Sequence, residues 1–259
     1  MLKFFKKKST DAIAQTPELE TNKPKESTFK TFLWALFFAI IIRSLAYEPF
    51  HIPSSSMYPN LLIGDYIFVN KFSYGYSRYS FPFGIKFFEG RIFKSTPKRG
   101  EVIVFRLPSD PSINYVKRLI GLPGDKIQMI DGTLFINDEE VIKKYIGSST
   151  ESENNKQISY QKYLETLPNK QEILTYDREL TPQDNTGIYE VPNGHYFFMG
   201  DNRDDSQDSR FLSFVGFVPE ENLVGRVTNI FFSNPSSIFN ILQWFKQIRF
   251  ERIGAKVNQ

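Results

Sequence analysis

Three clusters in this chain could do chemistry. The first is Ile52-Pro53-Ser54-Ser55-Ser56-Met57-Tyr58-Pro59. On an extended backbone Ser54 and Ser56 point to one side and Ser55 to the other. Two hydroxyls on one face suit a nucleophile beside a donor for a developing oxyanion. A run of three serines is equally an ordinary loop. A serine hydroxyl also needs a general base. The chain has two histidines, His51 and His195, and no cysteine. That excludes a thiol nucleophile, a disulfide framework and a Cys-ligated metal, and it leaves no room for a multi-histidine metal site. His51 lies on the same segment as Ser56 and is poorly placed to reach its hydroxyl. His195, in Pro-Asn-Gly-His-Tyr-Phe-Phe, reads as a turn or strand-edge residue. No Gly-x-Ser-x-Gly elbow accompanies the serines.

A neutral lysine can do the same work. The reference amine pKa of about 10.4 falls by several units on burial among apolar groups. A drop of about 2 units costs on the order of 2.7 kcal/mol, which a folded domain tolerates. Tyr115-Val116-Lys117-Arg118-Leu119-Ile120 is the second cluster. On a strand Lys117 shares a face with Tyr115 and Leu119, and Arg118 points the other way. Arg118 cannot be the base, because a guanidinium does not deprotonate in proteins. The bland reading of a single strand lysine is a solvated side chain. The third cluster is Gly200-Asp201-Asn202-Arg203-Asp204-Asp205-Ser206-Gln207-Asp208-Ser209-Arg210. Counted from Asp201 or Asp204, it fails the EF-hand pattern. Alternating acids and arginines fit an internal ion-pair network that stiffens a loop.

These clusters need elements to hold them. Strand patterns cover Asp65 to Asn70, Glu101 to Arg106, Tyr115 to Ile120, Ile127 to Ile130, Leu134 to Asn137, His195 to Met199 and Leu223 to Phe232, with Asp131-Gly132 as a two-residue hairpin signal. No convincing amphipathic helix lies between 50 and 235, so the fold is expected to be mainly β. Residues 138–189 are polar and weakly periodic, which predicts a small inserted subdomain or a mobile loop. The catalytic β domain is then 48–137 and 190–259. Residues 79–96, rich in phenylalanine, read as a core hairpin or an apolar surface on a bilayer. Ile238 to Ile248 has helical spacing.

Residues 1–30 are basic and polar. An apolar run follows over 31–47, 17 residues long, interrupted by Arg43 near one end. As a helix it spans about 25 Å, close to a bilayer's hydrocarbon core. Lys23, Lys25 and Lys30 flank its N-terminal side, and no Lys or Arg occurs between Tyr47 and Asn70. The positive-inside rule then puts the N-terminus in the cytoplasm. Ser44-Leu45-Ala46 has cleavage-site spacing, so a cleaved leader competes with a retained anchor, as does a buried core helix. The anchor is favoured because Glu48-Pro49-Phe50 leads straight into strand-forming sequence. A net charge of +3 is too mild to argue for nucleic-acid binding.

Taken in order, the motifs resemble those of bacterial type I signal peptidases, the leader peptidases. The resemblance runs through Glu48-Pro49-Phe50, Ile52 to Met57, Leu61-Leu62-Ile63-Gly64-Asp65, Arg99 to Phe105, Tyr115 to Asp125, Gly200 to Arg210 and Gly216-Phe217-Val218-Pro219. It implies a signal-peptidase-like β-fold and assigns Ser56 as nucleophile and Lys117 as its base. It places Ser54 in the oxyanion hole with the Ser56 backbone N–H, and Ser206 on the lysine amine. Asp208 and Arg210 would be a supporting ion pair, with Asp201 and Arg203 in the same structural box. Phe50, Ile52, Leu61, Ile67, Val104 and Val116 fall where the family lines its substrate pockets. Ser55 stands where glycine is more frequent, and Asp205 where asparagine is.

The resemblance implies a monomeric endopeptidase on the outer face of the bacterial inner membrane. It would remove signal peptides from exported preproteins after small residues (Ala-x-Ala type), with no metal or organic cofactor. A self-cleaving Ser-Lys protease and a non-catalytic membrane-tethered peptide-binding β module are the competing classes.

Overall fold

The computed structural model describes residues 28–81, 88–153, 156–178, 181–236 and 241–257. Its first element is α1 (Thr28–Leu45), 18 residues with a mean hydropathy of 1.6. Its apolar side chains are exposed, with 6% of the window buried, which removes the core-helix reading. The helix begins earlier and ends earlier than the expected 31–47. It stops at Leu45 because Tyr47 is taken up by strand pairing, opposite Asn70. Arg43 reaches Glu48 at 3.0 Å.

Among the described residues, fourteen strands follow. Seven make the main sheet: β1 (Tyr47–His51), β2 (Asp65–Asn70), β3 (Val102–Arg106), β4 (Asn114–Gly121), β12 (His195–Met199), β13 (Val218–Pro219) and β14 (Leu223–Ser233). Their order is β1-β2-β14-β3-β4-β12-β13, and every pairing is antiparallel. The apolar run of β3 has a plain cause. Val102 and Val104 enter one core cluster with Ile52, Leu61 and Ile67, while Ile103 and Phe105 enter another with Leu119 and Phe198. Both faces are covered, so successive residues must all be apolar.

A second sheet, in the order β11-β5-β6-β7, consists of β5 (Lys126–Ile130), β6 (Thr133–Ile136), β7 (Glu139–Glu140) and β11 (Tyr189–Glu190). Its β5–β6 turn is Asp131-Gly132, both with positive φ (46° and 71°), which is what a two-residue turn of this hand demands. The third sheet is the insertion. β8 (Ile142–Glu153), β9 (Lys156–Thr166) and β10 (Glu172–Asp177) are ordered β10-β9-β8. Among the described residues of the polar stretch, Ile142–Glu153, Lys156–Thr166 and Glu172–Asp177 are strand, and its ends β7 and β11 belong to the second sheet. All of this lies in one compact unit, Ala39–Gln259.

Two other expectations fall partly outside the described residues. In the phenylalanine-rich stretch 79–96, Phe83 and Phe87 lie outside them, and Phe93 is 83% exposed rather than a core residue. At the C-terminal end the helix α2 (Ile241–Lys246) is short, and Ile238 is outside the described residues. Trp244 on α2 stacks on Phe232 with ring centroids 5.5 Å apart.

Candidate active site

The serines sit where β1 leaves the sheet. Ile52 still bonds to β2, donating to the Asp65 carbonyl at 2.8 Å. Beyond it, Pro53 carries no N–H, the ladder stops, and Ser54 to Ser56 bend into a turn. The backbone here is not extended, as the alternation argument assumed. The two hydroxyls still meet, with Ser54 Oγ 3.4 Å from Ser56 Oγ. Ser56 is 8% exposed and Ser55 is buried beside it.

Lys117 comes from the middle of β4, opposite Ile103 of β3. Its side chain is buried, and Nζ lies 2.5 Å from Ser56 Oγ. Nζ also stands 5.3 Å from the centre of the Tyr115 ring. Burial is the main influence on this amine and lowers its pKa to about 8. The charges of Asp208 and Asp201 pull it back up, and Arg210 pushes it down. Near neutral pH a useful fraction is thus uncharged and able to accept a proton.

The acidic loop 200–210 is anchored from several directions. Arg118, next to Lys117 on β4, grips Asp201 through Nε and Nη2, each bond 2.6 Å long. Arg203 is paired at 2.5 Å with Glu165 of β9. Arg210 pairs with Asp208 at 2.9 Å. Only this last pair is internal to the loop, so the expected self-contained network reaches outward instead. Burial alone would push the Asp208 carboxyl up. The Arg210 charge and its hydrogen bonds, with the Gly200 N–H, hold it below the ordinary aspartate value. Gly200 is required by close approach: a Cβ there would lie 2.2 Å from Ser206 Oγ and 2.5 Å from the Ser56 carbonyl oxygen. Ser206 is buried beside the dyad. Its hydroxyl is directed to the Asp208 carboxylate and helps to lower that group's pKa, and among the described residues it makes no hydrogen bond to the lysine amine.

A cleft of about 570 Å³ opens over Ser56 and Lys117, and Phe50, Ile52 and Val116 line it. Leu61, Ile67 and Val104 are fully buried in the core cluster packed beneath those three. His51, Ile113, Asp205 and Gln207 also line the cleft. Two strand edges flank it. Leu119 of β4 donates to Glu101, and Ile113, just before β4, accepts from Leu107, Glu101 and Leu107 being the residues that flank β3. Ladder bonds alternate, so the peptide groups of Asn114 and Val116 face away, where β12 pairs only from Arg118 onward. On β1 the outward positions are Pro49, His51 and Pro53, and the prolines have no N–H to donate.

Sequence reasoning missed three supports. Glu165 lies in the polar stretch, and its only signal is that a buried Arg203 must have an acid somewhere. Asn60 Nδ2 bonds Asp201 Oδ2 at 2.7 Å. Asn202 contacts the backbone of Ser55 and Ser56, as described below.

Known proteins bear on this geometry. A family model described as signal peptidase, peptidase S26, matches residues 25–232. Signal peptidase I of Rickettsia typhi is 42% identical over 256 residues, covering 90% of this chain and 94% of that protein. Signal peptidase I of Rickettsia prowazekii is 41% identical over 255 residues, covering 91% and 95%. A crystal structure of a signal peptidase I from Enterococcus faecalis V583 aligns with 52% of this chain and 98% of that one, at 28% identity and a TM-score of 0.31.

Proposed function

The chain belongs to the signal peptidase family, peptidase S26, and from that premise we propose a membrane-bound Ser-Lys endopeptidase that cuts signal peptides from preproteins. The observation that carries the mechanism is the buried Nζ–Oγ approach of 2.5 Å between Lys117 and Ser56. Neutral Lys117 takes the hydroxyl proton as Ser56 Oγ attacks the scissile carbonyl carbon. The oxyanion that forms is met by the Ser56 N–H and the Ser54 hydroxyl. The tetrahedral intermediate collapses when the lysine ammonium gives its proton to the departing amine, the new N-terminus of the mature protein. The signal peptide stays behind as an ester on Ser56. Lys117, neutral again, deprotonates a water that attacks the ester. The ammonium returns that proton to the departing Ser56 Oγ, the acyl–oxygen bond breaks, and the signal peptide leaves with a free carboxyl group. The residues of the dyad and its supports supply every proton transfer in this scheme.

The preprotein lies extended along the free peptide groups of Asn114 and Val116, adding a strand to that edge. Phe50, Ile52 and Val116 narrow the cleft and favour small side chains, typically alanine, one and three positions before the cut. The unit is read as a monomer. The helix α1 is the anchor, with the lysine-rich N-terminus in the cytoplasm and residues 48 onward on the outer face of the inner membrane. An aromatic belt supports contact between this unit and the bilayer interface. Phe72, Tyr47, Phe68, Phe231, Tyr66 and Phe232 touch in sequence, with ring centroids 4.3–6.3 Å apart.

The test is preprotein cleavage by Lys117→Ala and Ser56→Ala variants whose folding is verified by circular dichroism. Both are expected to be inactive. Full cleavage by either would end the dyad reading.

A further inference from the structure

Asn202 is the residue the dyad does not use and the loop's ion pairs do not explain. It is fully buried. Its Nδ2 donates to the Ser55 carbonyl oxygen at 3.2 Å. That is the only hydrogen bond the side chain makes among the described residues, because Oδ1 is buried without a partner. Its backbone N–H donates to the Ser56 carbonyl, also at 3.2 Å. One residue thus holds the two successive peptide groups that flank the Ser56 side chain.

The consequence follows from peptide geometry. The Ser55 carbonyl and the Ser56 N–H belong to one planar trans unit and point in opposite directions. Fixing that carbonyl fixes where the N–H points. Asn202 Nδ2 and the Tyr58 N–H, which reaches the same oxygen at 2.9 Å, pull it inward. The Ser56 N–H is therefore turned the other way, and it has no partner among the described residues.

Asn202 is itself held firmly. The neighbouring Asp201 is gripped by Arg118, one residue from the base. Tyr176 of β10 brackets Asn202: its N–H donates to the Asp201 carbonyl at 2.9 Å, and its carbonyl accepts from Arg203 N at 2.8 Å. Nucleophile, base and inserted sheet are thereby tied to one side-chain amide.

We propose that Asn202 is a positioning residue for the oxyanion hole: by holding the Ser55–Ser56 peptide plane, it aims the Ser56 N–H at the developing oxyanion. This rests on Ser56 being the nucleophile, as proposed above. Oxyanion donors act only when preorganised, so the loss should appear in kcat and not in substrate binding.

The experiment uses the full-length protein in detergent with a preprotein substrate. Asn202→Ala and Asn202→Ser are compared with wild type and with Ser56→Ala. The expected result is a fall in kcat of about 10- to 100-fold with KM unchanged within about twofold. Affinity for a peptide aldehyde, whose adduct with Ser56 places an oxygen in the hole, should fall in parallel. Affinity for the released signal peptide should not. A folded Asn202 variant with wild-type kcat and aldehyde affinity would overturn the proposal. So would loss of folding in both variants, which would make Asn202 a support of the fold and not of the peptide plane. Cleavage by Ser56→Ala would overturn the dyad instead, so the two failures are distinguishable.

Discussion

The main sheet and the inserted sheet are built on opposite principles. In the main sheet β3 is apolar at four successive positions and buried on both faces, and Lys117 titrates low because that core surrounds it. In the inserted sheet β8 runs Ile-Lys-Lys-Tyr-Ile-Gly-Ser-Ser-Thr-Glu-Ser-Glu, with Ile142, Tyr145 and Ile146 exposed. Ladder hydrogen bonds and a small cluster of tyrosines hold it together, with Tyr160 and Tyr176 stacked at 5.0 Å. The polar sheet nonetheless holds the loop that lies beside Ser56 and Lys117. It sends Glu165 to Arg203 and stitches β10 to Asp201 and Arg203. One region supplies the low-dielectric surroundings that lower the Lys117 amine's pKa, and the other supplies polar partners that hold a loop still.

The sharpest break in this contrast lies within the main sheet. Lys117→Ala and Ser56→Ala should each lower kcat/KM by on the order of 10⁴-fold or more, measured on a preprotein. A loss as large from a change confined to the inserted sheet, without unfolding, would erase the distinction. Next is Glu165→Ala, which leaves the buried Arg203 charge unpaired and should cost about 3–5 kcal/mol, read from denaturant midpoints. Glu165→Gln, which keeps the volume and a hydrogen-bond acceptor, should cost less.

The pH dependence of Lys117 sharpens the main-sheet half of the comparison. Its pKa is about 8 in the folded protein against 10.5 ordinarily, so between those values the unfolded chain binds more protons. Stability from this group therefore rises with pH across that window, and its penalty is fully present below pH 8. That penalty is on the order of 3 kcal/mol. Lys117→Met should be more stable than wild type at pH 7, with much of the advantage gone at pH 10.5. Activity should fall about tenfold per unit below pH 8, because the base is protonated there. A flat profile from pH 6 to 8 would remove Lys117 as the base. The smallest effect belongs to the inserted sheet. Tyr176→Phe removes a 2.9 Å bond to Glu151, which keeps its bond from Ser149, and should cost about 1 kcal/mol with kcat unchanged.

Legibility followed the same divide. His195 to Met199 reads directly as a strand because burial on both faces leaves a dense apolar run, and Asp65 to Asn70 because core residues alternate with half-buried Tyr66, Phe68 and Asn70. The Asp131-Gly132 turn was plain because few residues accept positive φ in succession. The inserted strands left no such trace. With much of their surface in water, neither period is imposed on them, and polar composition then resembles a loop. At the site the motif order pointed to Ser56 and Lys117. The separation of lining from core did not follow from residue type, since Leu61, Ile67 and Val104 are as apolar as Ile52 and Val116.

From its residues alone the chain declares a long apolar N-terminal segment, a β-rich body, the chemistry open to it without cysteine, and the motif series of its family. Each is a local property, carried by composition or by spacing within a few residues. Folding decided that Ser56 and Lys117, 61 residues apart, meet at 2.5 Å. It also decided that Glu165 answers Arg203 and that Asn202 bonds the carbonyl oxygens of Ser55 and Ser56. Those outcomes depend on which strands pair and what they bury, and the desolvation that lowers an amine's pKa exists only once a core has closed around it.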